Sequence, residues 1–204
     1  MRGKVGGFAL GVLALSASGC ASATFNSTVN WDHAPSAMAR VFVIANMKNG
    51  AFNEDLYRGF EAGLRKEFTE CGIKSEVMDA EANSRESLAT ARAQFQPDSM
   101  LVIREEGGHV YIGQYGNRNE LRFDLMLFNA RMNTPYWHAD SGFKVVTENM
   151  FRYDIDSGKE FAREIVARLQ ADGVIKNCKM LEEDAKAERE EAARRAKEMS
   201  GFND

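Results

Sequence analysis

The sequence predicts an α/β (α+β) fold: a single mixed β-sheet with helices packed on it, and a charged helix at the C-terminal end. Three observations carry that prediction. The run 'ARVFVIAN' at 39–46 is apolar on both faces, as in a strand covered from two sides. Leu121, Phe123, Leu125 and Leu127 recur at a period of two, as in a strand with one buried face. Leu56, Phe60, Leu64, Phe68 and Cys71 recur at helical spacing. Strand, helix, strand, helix, an antiparallel run and a last helix then make a mixed sheet.

Taken in order, Arg2 and Lys4 precede an uncharged apolar run at 5–17, which ends in Ser18, Gly19 and Cys20. A positive start, an apolar run and small residues before a cleavage point describe a secretory signal peptide. The run is shorter than the ~20 residues a membrane span needs. A buried N-terminal helix or strand is the alternative, and Gly6, Gly7 and Gly11 would weaken a core helix. Residues 1–19 are thus expected to be a signal peptide. Residues 21–36 are small and polar with no evident period, so 20–38 read as a tether to a domain spanning 39–178.

Ala17-Ser18-Gly19-Cys20 resembles the lipobox of bacterial lipoproteins, with Ala17 standing where that family most often has Leu. The resemblance covers only the first twenty-odd residues. It implies that Cys20 becomes the first residue of the mature chain and takes a diacylglycerol on its thiol. It further implies acylation of the new amino group, and two or three acyl chains hold a protein to a bilayer stably where one does not. Ala21, rather than Asp, follows the cysteine, which in this family implies the outer membrane. The membrane is then a partner through the lipid anchor, with the globule facing the periplasm.

Within the domain, a helix is expected over 53–71, with Gly72 at its C-terminal cap, and a strand over 73–79. Asn83 with Glu86 reads as a capping box for a second helix carrying Leu88, Ala91 and Phe95, ended by Pro97. A strand at 100–104 is expected to turn at 'EEGG' (105–108) into another at 109–115. The alternating strand at 121–132 leads through a turn at 133–135 into 'YWHAD'. Asp154 and Asp156 open a third helix carrying Phe161, Ile165 and Leu169, which Gly173 stops. Residues 179–204 hold Glu182–Lys186, Glu190–Arg194 and Glu191–Arg195 pairs at i,i+4, with mostly Ala on the apolar positions. They read as a charged helical tail, either solvated or projecting to a partner.

Composition narrows the function. The chain has 204 residues, 44% hydrophobic and 27% charged, enough for one domain with a sizeable core. Its net charge of −4 falls to about −6 once Arg2 and Lys4 are removed, and no basic block occurs, which excludes a nucleic-acid partner. His33, His109 and His138 do not lie at metal-ligand spacing, and HExxH, CxxC, GxSxG and glycine-rich phosphate loops are all missing. No metal, cofactor or catalytic set is therefore expected. His109, Tyr111 and Tyr115 fall on one face of a strand around Gly113. They form a candidate ligand face for a sugar ring or a partner's backbone, or simply cover the sheet. With Cys20 taken by lipid, Cys71 and Cys178 remain as an even pair in an oxidising compartment, where a disulfide persists. Two unpaired thiols are the alternative.

'RVFVIAN' followed by a helix, and 'RFDLMLFN' with 'NARMNTPYWHAD', together resemble small envelope lipoproteins. These are the lipoproteins of curli secretion, the activators of penicillin-binding proteins and the amino-terminal domain of TolB-type proteins. The resemblance runs over 40–174 and rests on patterns rather than signatures. It implies a core role for Trp137 and binding or assembly work with no shared active site. The expected function is thus a non-enzymatic accessory of the cell envelope, partnered by an envelope protein. The alternatives are a peptidoglycan or glycan binder using Tyr111 and Tyr115, and, third, an enzyme.

Overall fold

A computed structural model describes residues 21–47, 54–113, 116–147, 154–176 and 178. The expected signal peptide, Cys20, Tyr115 and the charged tail at 179–204 lie outside the described residues. Six strands and three α-helices follow in the order β1 (Ala21–Val29), β2 (Arg40–Asn46), α1 (Glu54–Glu70), β3 (Lys74–Asp79), α2 (Arg85–Phe95), β4 (Ser99–Gly113), β5 (Gly116–Asn129), β6 (Thr134–Thr147) and α3 (Ile155–Ala171). One sheet holds all the strands in the order β1-β6-β5-β4-β2-β3. β2 pairs in parallel with β3 and β4, whereas β4, β5, β6 and β1 form an antiparallel run. The sheet is mixed with helices packed on it, as its sequence order predicts.

Both long helices lie on one face. Leu56, Phe60, Leu64 and Phe68 of α1 and Phe161, Ile165 and Leu169 of α3 are fully buried there against Val41, Val43, Leu101, Phe123 and Phe143. Phe161 is central: its ring lies 4.7 Å from those of both Phe123 and Phe143 and 5.8 Å from Phe60. Gly59, Gly63 and Gly158 let the two helices approach closely, since a Cβ on Gly158 would sit 2.6 Å from the Phe60 backbone nitrogen and one on Gly63 2.8 Å from the Ala162 Cβ. α2 takes the other face, over Phe42 and Met100, with the Phe95 ring tilted against Phe42 at 6.1 Å.

The helix stops follow the glycines. Ile73 N–H reaches the Phe68 carbonyl and Gly72 N–H the Thr69 carbonyl, with Gly72 at φ +72°. This is the paired C-terminal bond pattern that a left-handed residue allows. Gly173, at φ +75°, closes α3 with the same two bonds. Asp154 caps the start of α3 by accepting from Ser157 N–H at 2.7 Å, and the aligned amides together with the Ser157 hydroxyl hold its carboxyl below the ordinary range.

Three local expectations are corrected. Residues 21–29 are not a tether but strand β1, paired with β6 from Ala21↔Val145 to Val29↔Trp137. Ala23, Phe25 and Val29 pack on the core, so a weak period of two hides in a run of small residues. Residues 21–29 therefore belong to the sheet of the folded domain, ahead of the expected start at 39. Second, Ser84 caps α2, accepting from Ser87 N–H at 3.1 Å, while Asn83 turns back to donate to the Asp79 carbonyl. Third, 'EEGG' is not a turn. β4 runs unbroken through it by a bulge between Glu105 and Gly107, with Gly107 at φ +109°.

Candidate functional site

That bulge shapes the face of the sheet opposite α1 and α3. Without it, alternation would send His109 to the core when Arg104 points outward. One extra residue in β4 resets the phase, so Arg104, opposite Asp124, and His109, opposite Glu120, both lie on the outer face. α2 covers this face only over Phe42, Met100 and their neighbours. Over β4, β5, β6 and β1 it is polar and, among the described residues, uncovered. Arg104 is 58% exposed and His138 45%.

Asp124 sits at the centre of this surface, with its side chain only 7% exposed. Arg104 donates to its Oδ2 at 2.8 Å, and His138 Nε2 lies 2.7 Å from its Oδ1. Asp140 stands directly across the strand pair from Asp124, and His138 is the next residue but one on the same side of β6. The ligating atoms of Asp124, His138 and Asp140 all fall within 4.8 Å of one another. Spacing along the chain sets no two histidines at metal-ligand distance, and the fold instead places His138 beside two carboxylates, Asp124 and Asp140. Asp124 and His138 are 14 residues apart and become neighbours only through the β5–β6 register. The sequence signal was the polar side of two alternating strands, whose mutual register it does not encode.

Of the expected ligand face, His109 and Tyr111 are brought together, their rings 6.3 Å apart and tilted, with Tyr111 54% exposed. Tyr115 falls outside the described residues. Trp137 is buried as expected, 1% exposed, and its indole donates to Asp172 at 2.7 Å. The same carboxylate accepts from Ser27 of β1 and pairs with Arg168, so one side chain ties β1, β6 and α3 together. Cys71 and Cys178 form a disulfide across the ends of α1 and α3. The concavity beside it, lined by Glu67, Arg163 and Val166 among others, is too small for an organic ligand.

A second cluster lies at the C-terminal ends of the parallel strands, where open α/β sheets form their crevices. Glu105 has a buried Oε2 with no hydrogen-bond partner. Burial, and then the charge of Glu81, pushes its carboxyl up to about 7 from an ordinary 4.5. The folded protein keeps this proton over a range in which the unfolded chain has lost it. The resulting stability is fully present below 4.5 and is lost as the pH rises through about 7. Burial raises Glu67 and Glu164 in the same direction, so only a variant isolates Glu105. Urea midpoints at about pH 5 and about pH 8 should fall less for Glu105→Gln than for wild type; an equal fall refutes the assignment.

No family model matches the sequence, and no curated protein matches it either. Among solved structures the chain is similar to the PelC dodecamer from Paraburkholderia phytofirmans, at 15% identity and a TM-score of 0.44, covering 71% of this chain and 94% of that one. It is also similar to a lipoprotein from Neisseria meningitidis, at 16% identity and TM-score 0.39, covering 67% and 95%. A minor lipoprotein from Acinetobacter baumannii shows 14% identity and TM-score 0.30, covering 64% and 94%. Likeness at this level does not bear on activity.

Proposed function

We propose that this chain is a lipid-anchored accessory of a bacterial cell envelope that binds a partner rather than turning over a substrate. The observation that carries the reading is the Cys71–Cys178 disulfide. Such bonds persist in oxidising compartments, and the bond occurs in a chain whose first twenty residues run from positive charge through an apolar stretch to small residues and Cys20. Because β1 starts at residue 21, an acyl group on Cys20 would stand next to the sheet itself. The domain would then lie against the membrane with no spacer. Its uncovered polar face is the surface left for a partner, since α1 and α3 occupy the other one.

The anchor is tested by Cys20→Ser. Expected is loss of the protein from the membrane fraction, as unprocessed or soluble material. A variant that is cut and fractionates like wild type overturns the reading. Crosslinkers at Arg122 and Lys144 on the uncovered face should capture an envelope partner that Lys159 and Arg163 on α3 do not.

The exposed His109–Tyr111 pair supports a second reading, in which the partner is peptidoglycan or another glycan stacked on the ring. Retention on purified peptidoglycan, lost in Tyr111→Ala, would favour it.

A further inference from the structure

We propose that Asp124, His138 and Asp140 form a binding site for a divalent transition-metal cation of the zinc class, with Arg104 as the outer partner that orients Asp124. The three donors stand on two adjacent antiparallel strands in the middle of the sheet, a rigid mount. They offer one imidazole nitrogen and two carboxylate oxygens. All-oxygen cages suit calcium and magnesium, whereas a mixed nitrogen and oxygen set suits zinc and its neighbours.

The geometry is close to what such an ion needs. Zinc bonds nitrogen and oxygen at about 2.0–2.2 Å, so tetrahedral donors lie roughly 3.3–3.6 Å from one another. Here the separations run from 2.7 Å between His138 Nε2 and Asp124 Oδ1 up to the 4.8 Å limit. Small side-chain rotations close the difference, because Asp140 and His138 are both open to solvent. An ion would take the place of the hydrogen now shared between Nε2 and Oδ1. The neutral imidazole would then carry its proton on Nδ1, and water would complete the shell.

Electrostatics point the same way. Like charges placed directly opposite on a strand pair repel, yet Asp124 and Asp140 are such a pair. Arg104 holds Asp124 through Oδ2 at 2.8 Å, so that Oδ1, now 2.7 Å from His138 Nε2, is the oxygen turned toward the other two donors. A carboxylate held this way by a second residue is the usual surrounding of a metal ligand. On the far side of β6, Asp140 faces the uncharged Asn26 of β1 in the register. A cation between the two carboxylates would offset the repulsion that the Arg104 pair leaves on the Asp140 side.

The test uses the full folded chain, stripped with chelator and titrated with Zn(II) alone by calorimetry, and with Co(II) by visible absorption. Expected is one ion per chain, with a Co(II) spectrum of low coordination number. Affinity should fall at least tenfold in His138→Gln and in Asp140→Asn, and stay unchanged in His33→Gln and His109→Gln. Zinc should also raise the thermal midpoint of wild type but not of Asp140→Asn. Asp140 is exposed, so that variant is expected to keep its fold. Absence of saturable binding to wild type overturns the proposal. So does binding that survives both His138→Gln and Asp140→Asn, or that is lost equally in His109→Gln.

Discussion

Reducing the Cys71–Cys178 bond is expected to lower stability by about 4–5 kcal/mol. The bond closes a loop with a sequence separation of 107 residues. In the chain-entropy account a cross-link acts by restricting the unfolded chain, and the restriction grows with loop length. This loop takes in most of the sheet, every strand from β3 to β6 and both α2 and α3. A typical domain holds only ~5–15 kcal/mol in total, so the loss is a large share. For a chain of this size it corresponds to a fall of roughly 8–20 °C in the thermal midpoint. Scans with and without reductant measure it. Alkylation under denaturing conditions checks the premise: two thiols reacting without prior reduction would rule the bridge out in the cell-derived protein.

Gly158→Ala is expected to destabilise by about 2–3 kcal/mol, although local propensity argues the opposite. Within a helix, alanine is favoured over glycine by ~1 kcal/mol. Tertiary contact outweighs that gain here. A Cβ on Gly158 would press on the Leu56 carbonyl, lie 2.6 Å from the Phe60 nitrogen and 3.0 Å from the Gly59 carbon. All three neighbours are backbone atoms of α1, so no side chain can rotate away. α1 and α3 must part, and Phe60, Leu64, Phe161 and Ile165 lose contact along the seam. Overpacking of this kind costs ~1–3 kcal/mol and occasionally more. A denaturant midpoint equal to or above wild type would show that the seam yields and that propensity decides. Gly59→Ala makes an independent check, since its Cβ would meet the Ile155 carbonyl from the opposite helix.

What the sequence by itself determined is what local periodicity and chain geometry encode. The helical stripe from Leu56 to Phe68, the alternation from Leu121 to Leu127 and the left-handed stops at Gly72 and Gly173 were all legible. So was the cap at Asp154, because a residue's own neighbours dictate each of these. The cysteine pairing was legible too, since two helices ending on one face bring their last residues together. What only the tertiary structure decided depends on register between distant segments. β1 became a strand because the edge of β6 supplies partners for its backbone groups, more than because of its small side chains. The bulge at Glu105–Gly107, which looks like a turn locally, carries β4 onward because β5 pairs with both of its halves. The Asp124–His138–Asp140 cluster exists only in the β5–β6 register, since a slip of one residue would turn one strand's donors toward the core. Helix contacts at Gly59 and Gly158 likewise depend on how α1 crosses α3, which neither helix's own periodicity specifies.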